Sequence, residues 1–199
     1  MTEFNLDINK VIEIIGMIFN LSFLFLIIYK LRIAWIFGIL GSAISIYLFL
    51  LPSVKLYSEA ILYLYYVVIG IYAWITWGKE NIKENTILIE TKSYLYHLKT
   101  IILGIILTLI LGYVFDTLSE ANNPYMDSFS TIFSFIATYL QAKKVLSSWI
   151  YWIILNLFSI YLYLLRDLDI YSIQMFIYFI GSIWGLYNWK KIYNKQKST

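Results

Sequence analysis

The sequence predicts an all-α integral membrane protein of seven transmembrane helices, arranged as two parallel three-helix units with a single helix between them. Three observations lead there: an apolar load that a water-soluble chain could not bury, a series of apolar runs of bilayer-spanning length, and an internal repeat. Of 199 residues, 61% are hydrophobic and 14% charged, and the mean hydropathy is +0.73. A soluble domain of this size has too little interior to hide so much apolar surface.

Because a hydrocarbon core of about 30 Å needs roughly 20 helical residues, apolar runs of that order are the elements to count. In chain order they are residues 11–29, 33–51, 58–78, 98–115, 149–165 and 170–189. Residues 1–10 ahead of them are short and acidic, with Glu3 and Asp7, and lack the basic start and small-residue cleavage site of a signal peptide. The first run is therefore expected to be mature protein. Pro52 is expected to open a turn outside the membrane.

Residues 127–142 carry Ser128, Ser130, Thr131, Ser134, Thr138 and Gln141 and could be a loop on hydropathy alone. Charge decides in favour of a span, since short loops rich in Lys and Arg stay in the cytoplasm. With 127–142 spanning, one side holds Lys30, Arg32, Lys79, Lys83, Lys92, Lys99, Lys143, Lys144, Lys190, Lys191, Lys195 and Lys197, twelve of the 15 basic residues. Only Lys10, Lys55 and Arg166 fall on the other side, with the acidic, Asn-rich stretch 116–123. The expected order is an extracellular N-terminus (1–10), a first repeat (11–78), a cytoplasmic loop (79–97), a linker helix (98–115), an outer loop (116–126), a second repeat (127–189) and a basic cytoplasmic tail (190–199). Ile87, Leu88, Ile89, Tyr94 and Tyr96 among the charges suggest that the long inner loop lies on the membrane surface.

The repeat is direct. Ser-Ile-Tyr-Leu-Phe-Leu-Leu at 45–51 returns as Ser-Ile-Tyr-Leu-Tyr-Leu-Leu at 159–165, an offset of 114 that also aligns Trp35 with Trp149, Lys30 with Lys144, Glu13 with Asp127 and Tyr57-Ser58 with Tyr171-Ser172. An offset of 115 then places Gly70-Ile-Tyr72-Ala-Trp74 on Gly185-Leu-Tyr187-Asn-Trp189. Matching helices lie an even number of crossings apart, so the two units face the same way, an arrangement similar to that of the SWEET transporters.

Polar groups inside a bilayer face a bundle interior or a watery path. Thr131, Ser134, Thr138 and Gln141 form one helical stripe; Trp149, Trp152, Asn156 and Ser159 form a second, and Tyr178, Gly181, Gly185 and Asn188 a third. Close packing of small residues explains Ser45, Ser159, Gly181 and Gly185, and interfacial anchoring explains Trp35 and Trp149. The second copy nevertheless departs from the first: Met17, Leu24 and Ile27 become Thr131, Thr138 and Gln141, Gly38 becomes Trp152, Ser42 becomes Asn156, and Ala73 becomes Asn188. An asymmetric ligand near a pseudo-twofold axis would require such differences. Gln141, Trp152, Asn156 and Asn188 are thus the first candidate ligand contacts, and a Trp face beside amides suits a flat heterocycle. Glu13 and Asp127 read as solvated helix-end acids or as attractors for a cation at the entrance.

Catalysis has little support. The chain lacks cysteine, which excludes disulfides, thiolate nucleophiles, zinc-thiolate sites and iron–sulfur ligation. His97 stands beside Lys99 without a nucleophile and orienting acid at helical spacing, and reads as a surface histidine. No catalytic residue, metal ligand or cofactor is expected, and no nucleic-acid partner; the only certain partner is the lipid bilayer.

These residues resemble the PnuC-type vitamin transporters, whose members carry nicotinamide riboside, with relatives for thiamine and riboflavin. The likeness spans nearly the whole chain. It rests on Tyr57 followed by Gly-Ile-Tyr-Ala-Trp-Ile-Thr-Trp at 70–77, Thr138-Tyr-Leu-Gln141-Ala-Lys-Lys, Trp149-Ile-Tyr-Trp152 with Asn156 after it, and Gly185-Leu-Tyr-Asn-Trp189. The resemblance implies a three-plus-one-plus-three architecture, a homotrimer in a bacterial inner membrane, and facilitated diffusion of an unphosphorylated vitamin trapped by a cytoplasmic kinase. By motif position it makes Gln141, Trp152, Asn156 and Asn188 the first substrate contacts, with Thr138, Trp149, Tyr187 and Trp189 behind them. Asn156 stands where the family has an acid or an amide, which leaves nicotinamide riboside and thiamine both open. The competing classes are a membrane receptor or assembly subunit, whose stripes only pack helices, and an intramembrane enzyme.

Overall fold

The computed structural model describes residues 8–51, 57–84, 88–118, 123–165 and 169–198, and only the backbone at 57–59, 80–84 and 169–171. Glu3, Asp7, Pro52, Lys55, Arg166 and Ile87 lie outside the described residues. Within them the chain forms α1 (Ile8–Ile28), α2 (Ala34–Leu50), α3 (Tyr57–Glu84), α4 (Tyr94–Leu118), α5 (Pro124–Ala142), α6 (Ser148–Leu164) and α7 (Asp169–Ser198). Each expected span has its helix, including the polar fifth, which starts with Pro124 in its first turn and Asp127 where a helix N-terminus favours an acid. Among the described residues α1, α4 and the stretch Ala60–Lys79 of α3 are long and apolar enough to cross a membrane. α2 and α6, at 17 residues each, sit at the lower limit of spanning length.

The chain divides into two compact units, residues 1–87 and 88–199. In the first, α2 packs between α1 and α3; in the second, α4 packs on α5, α5 on α6, and α6 on α7. The central helix therefore has a protein partner. Gly104 and Gly112 bring it close to α5: a side chain at Gly104 would meet Phe133, and one at Gly112 the ring of Tyr125.

Several boundaries differ from the sequence expectation. Helices α3 and α7 continue past their apolar runs, to Glu84 and Ser198, so the basic tail is helical as far as Ser198. The long inner loop shrinks accordingly, and residues 89–91 in it are bonded to protein. Ile89 is 3% exposed; its N–H donates to Gln196 Oε1 (3.1 Å) and its carbonyl accepts from Gln196 Nε2 (3.4 Å). On the next residue, Glu90 N–H donates to the Lys144 carbonyl (3.0 Å) and the Glu90 carbonyl accepts from Leu146 N–H (2.8 Å). Thr91 and Tyr193 hydroxyls meet at 3.2 Å, a bond that with the nearby Lys197 pulls the Tyr193 phenol below its ordinary pKa. Residues 89–91 thus form a strap bound to the α5–α6 turn on one side and to the end of α7 on the other. Backbone groups that water would otherwise have to satisfy are paired with protein.

The same devices recur in both units. Lys30 and Lys144 are the described non-glycine residues with positive φ, at 57° and 58°. Each follows a helix end closed by a pair of bonds: Lys30 N–H to Ile27 and Leu31 N–H to Leu26 in the first unit, Lys144 N–H to Gln141 and Val145 N–H to Leu140 in the second. This is the left-handed C-terminal closure usually given to glycine. Helices α2 and α6 bury Ala34, Trp35, Gly41 and Ser42, and Ser148, Trp149, Leu155 and Asn156, at an offset of 114. For the third pair the offset is 112 and not the 115 that the Gly-x-Tyr-x-Trp match suggests: Ala60, Ile69, Gly70, Ala73 and Trp77 are buried, as are Ser172, Gly181, Ser182, Gly185 and Trp189. Ring geometry agrees, with Trp35 on Trp77 at 5.5 Å and 79°, and Trp149 on Trp189 at 5.5 Å and 86°.

Candidate functional site

Helices α5, α6 and α7 carry the polar stripes, and packing turns those stripes inward. Ser134, Thr138 and Gln141 are buried on α5, Asn156 on α6, and Gly181, Ser182 and Gly185 on α7. The apolar seam beneath them is Phe133, Ala137 and Leu155, against which Phe129, Ile136, Tyr151 and Trp152 pack. This seam fixes α5 to α6 and so sets where the polar ends fall.

Two hydrogen-bonded arrangements stand on it. Trp152 Nε1 donates to Gln141 Oε1 at 3.0 Å, joining α6 to α5. Asn156, one turn further along α6, donates through Nδ2 to Ser182 Oγ at 3.0 Å, and Ser182 in turn donates to the Tyr178 carbonyl at 2.8 Å. Gln141 is 2% exposed and Asn156 5%. Gln141 thus commits its Oε1 and Asn156 its Nδ2 to a neighbouring helix, and neither Gln141 Nε2 nor Asn156 Oδ1 is among the described buried atoms that lack a partner. An amide carries both donor and acceptor capacity, so each of the two has a second polar atom with which it could meet a ligand. What the arrangement offers is a donor, an acceptor and the partly buried indole of Trp152 between them, on adjacent helix faces.

The remaining candidates fall in different places. Thr138 is buried, but its hydroxyl donates to the Ser134 carbonyl (2.7 Å) on its own helix. Trp149 and Trp189 are fully buried against each other, and the edge of the Trp149 ring rests on Gly185. Trp149 Nε1 is buried without a hydrogen-bond partner, as is Trp35 Nε1 in the first unit, so this pair reads first as a packing element common to both units. Tyr187 is 70% exposed, away from the Asn156 and Ser182 pair. Asn188 is half-buried, and in the packing register its counterpart is Thr76 rather than Ala73.

Ser182 escaped the sequence reading. In the packing register it stands where the first unit has Gly70, a polar gain of the same kind as Ser42 to Asn156. His97 is likewise no free surface histidine: its Nδ1 meets the Tyr151 hydroxyl at 3.1 Å and its Nε2 the Ser147 hydroxyl at 3.0 Å. It ties the start of α4 to the start of α6, one residue before Trp152. A cleft of about 350 Å³ opens beside the strap, lined by Glu90, Lys92, Tyr96, Tyr139, Lys143 and Val145, with Lys92 paired to Glu90 at 2.7 Å. Its lining is charged where the amide site is neutral.

Comparison with known proteins adds to this geometry. The family model described as nicotinamide mononucleotide transporter matches residues 10–191. A crystal structure described as that of the vitamin B3 transporter PnuC superposes with a TM-score of 0.76 at 17% identity, covering 95% of this chain and 84% of that one. Curated protein sequences give no match.

Proposed function

The chain belongs to the nicotinamide mononucleotide transporter family of membrane proteins, and on that premise we propose that it is a uniporter for an unphosphorylated vitamin precursor, nicotinamide riboside. The observation that carries the choice is the pair of buried amides, Gln141 and Asn156, each bonded to a neighbouring helix, with Trp152 between them. A flat nicotinamide ring can stack on the indole while its carboxamide pairs with an amide edge. The side chains joined in these bonds, Gln141, Trp152, Asn156 and Ser182, include no cation. A phosphate moved into a membrane interior calls for an Arg or Lys partner, which favours the nucleoside over the mononucleotide.

Transport then follows from alternating access, in which the site is exposed to each side in turn. The matched burial patterns, the paired Trp rings and the two left-handed lysines support a 3+1+3 parallel duplication, like the SWEET arrangement, with residues 11–78 and 127–189 as the repeats. The charge asymmetry supports an outside N-terminus and a cytoplasmic C-terminus in an inner membrane. Without an energy-coupling motif, net uptake requires removal of the product, and a cytoplasmic kinase supplies it by adding a charge that the site does not accept. The homotrimer stays part of the same proposal.

The test is uptake by proteoliposomes offered nicotinamide riboside, thiamine and riboflavin in parallel. Nicotinamide riboside should equilibrate without accumulating, and enclosed kinase should turn equilibration into accumulation. Uphill transport driven by a proton or sodium gradient would overturn uniport; preference for thiamine or riboflavin would overturn the substrate. Unchanged uptake in both Trp152→Ala and Asn156→Ala would leave the stripes as packing alone.

A further inference from the structure

The first unit holds an arginine whose geometry the transport reading does not use. Arg32 stands just ahead of α2, and its Nε donates to the Trp74 carbonyl on α3 at 2.8 Å. Its Cζ lies 3.7 Å from the centroid of the Trp74 ring. Gly78, one turn on from Trp74, completes the seat, because a Cβ there would overlap the guanidinium. Three contacts, one hydrogen bond, one stacked face and one missing side chain, thus fix the plane of the group. Among the described residues nothing takes up Nη1 or Nη2. An arginine anchored through Nε with its two terminal nitrogens open presents the fork that pairs with two oxygens of a phosphate.

The fold does not demand this arrangement. At the equivalent places of the second unit stand Leu146 and, in the packing register, Leu186 and Lys190, so the stack and its glycine seat belong to one unit alone. The surroundings indicate which phosphate. Trp74 lies near the end of the apolar stretch of α3, where Lys79 is exposed, and an exposed apolar stripe of Val68, Ile71 and Ile75 runs along the helix beside it. A tryptophan and basic residues at the end of an apolar stripe form the pattern of a membrane interface. A lipid fits both parts, with its headgroup on the fork and its chains on the stripe, whereas a free anion uses only the first.

We propose that Arg32, held flat on Trp74 over Gly78, binds the phosphate of an anionic membrane lipid. The experiment is native mass spectrometry of the purified full-length protein titrated with phosphatidylglycerol, with phosphatidylcholine, and with phosphatidylglycerol in competition with millimolar inorganic phosphate. Phosphatidylglycerol should bind the wild type and resist inorganic phosphate, and phosphatidylcholine should bind more weakly. Arg32→Gln should weaken phosphatidylglycerol binding about tenfold, the loss expected of a charge-assisted bidentate pair. Gly78→Ala should weaken it similarly with no change in charge, by pushing the guanidinium off its seat, while Lys79→Gln should cost less than either. If Arg32→Gln does not fold, Gly78→Ala decides. Wild-type affinity in Gly78→Ala, equal retention of phosphatidylcholine, or displacement of the lipid by inorganic phosphate would each overturn the proposal.

Discussion

Trp152 does two things at once, since its ring offers a face to a ligand and its Nε1 holds Gln141 in place. Trp152→Phe separates them. It keeps an aromatic face but leaves Gln141 Oε1 without its donor, so KM for uptake should rise about tenfold, the worth of about 1.4 kcal/mol, while the purified protein melts within a few degrees of wild type. Asn156→Ala should cost at least as much, because it removes the amide and releases Ser182 as well. Gln141, Trp152 and Asn156 were legible in the sequence as places where the second copy breaks the first. Ser182 was hidden, and Asn188 was compared with Ala73 rather than Thr76, for one reason: the Gly-x-Tyr-x-Trp match sets the third pair of helices three residues away from its packing register. Three residues are nearly one helical turn, so the shifted register still places most apolar positions on the correct face, and hydropathy alone cannot reveal the slip.

At the level of the element, the turns carry information that the spans do not. Lys144 closes α5 in a left-handed conformation, which costs an L-residue with a Cβ roughly 1 kcal/mol that glycine does not pay. Lys144→Gly should therefore be more stable than Lys144→Ala by about that amount in thermal melts, a comparison in which both variants lose the lysine side chain. The strap makes a second prediction. Gln196→Leu removes both bonds to Ile89, so amide hydrogen exchange at residues 88–91 should accelerate while α5 and α6 keep their protection. The sequence aligned Lys30 with Lys144 without disclosing the shared backbone conformation. It placed each helix but cut α3 and α7 short, because an apolar run ends where polar residues begin whereas the helical hydrogen-bond ladder continues through them. The strap was illegible, since its bonds are mostly made by backbone atoms and a single glutamine more than a hundred residues away.

For the molecule as a whole, the membrane class and six of the helices follow from composition and run length and the seventh, 127–142, from charge asymmetry, and membership of a transporter family agrees with them. Orientation is open to direct measurement. The native chain contains no cysteine, so single cysteines introduced at Asn122 and at Lys197 report without background: an impermeant maleimide should label the first from outside intact cells and the second only after lysis. The reverse pattern would invert the topology. The two buried indole pairs have an optical consequence. Trp35, Trp77, Trp149 and Trp189 account for four of the seven tryptophans, and rings so enclosed emit toward the blue and are poorly reached by aqueous quenchers. They set a constant fluorescent background. A ligand that stacks on Trp152 should therefore register as a small, saturable quenching on top of it, and replacing Trp184, the exposed indole, would leave that signal to Trp152 with only Trp74, beneath its arginine, to correct for.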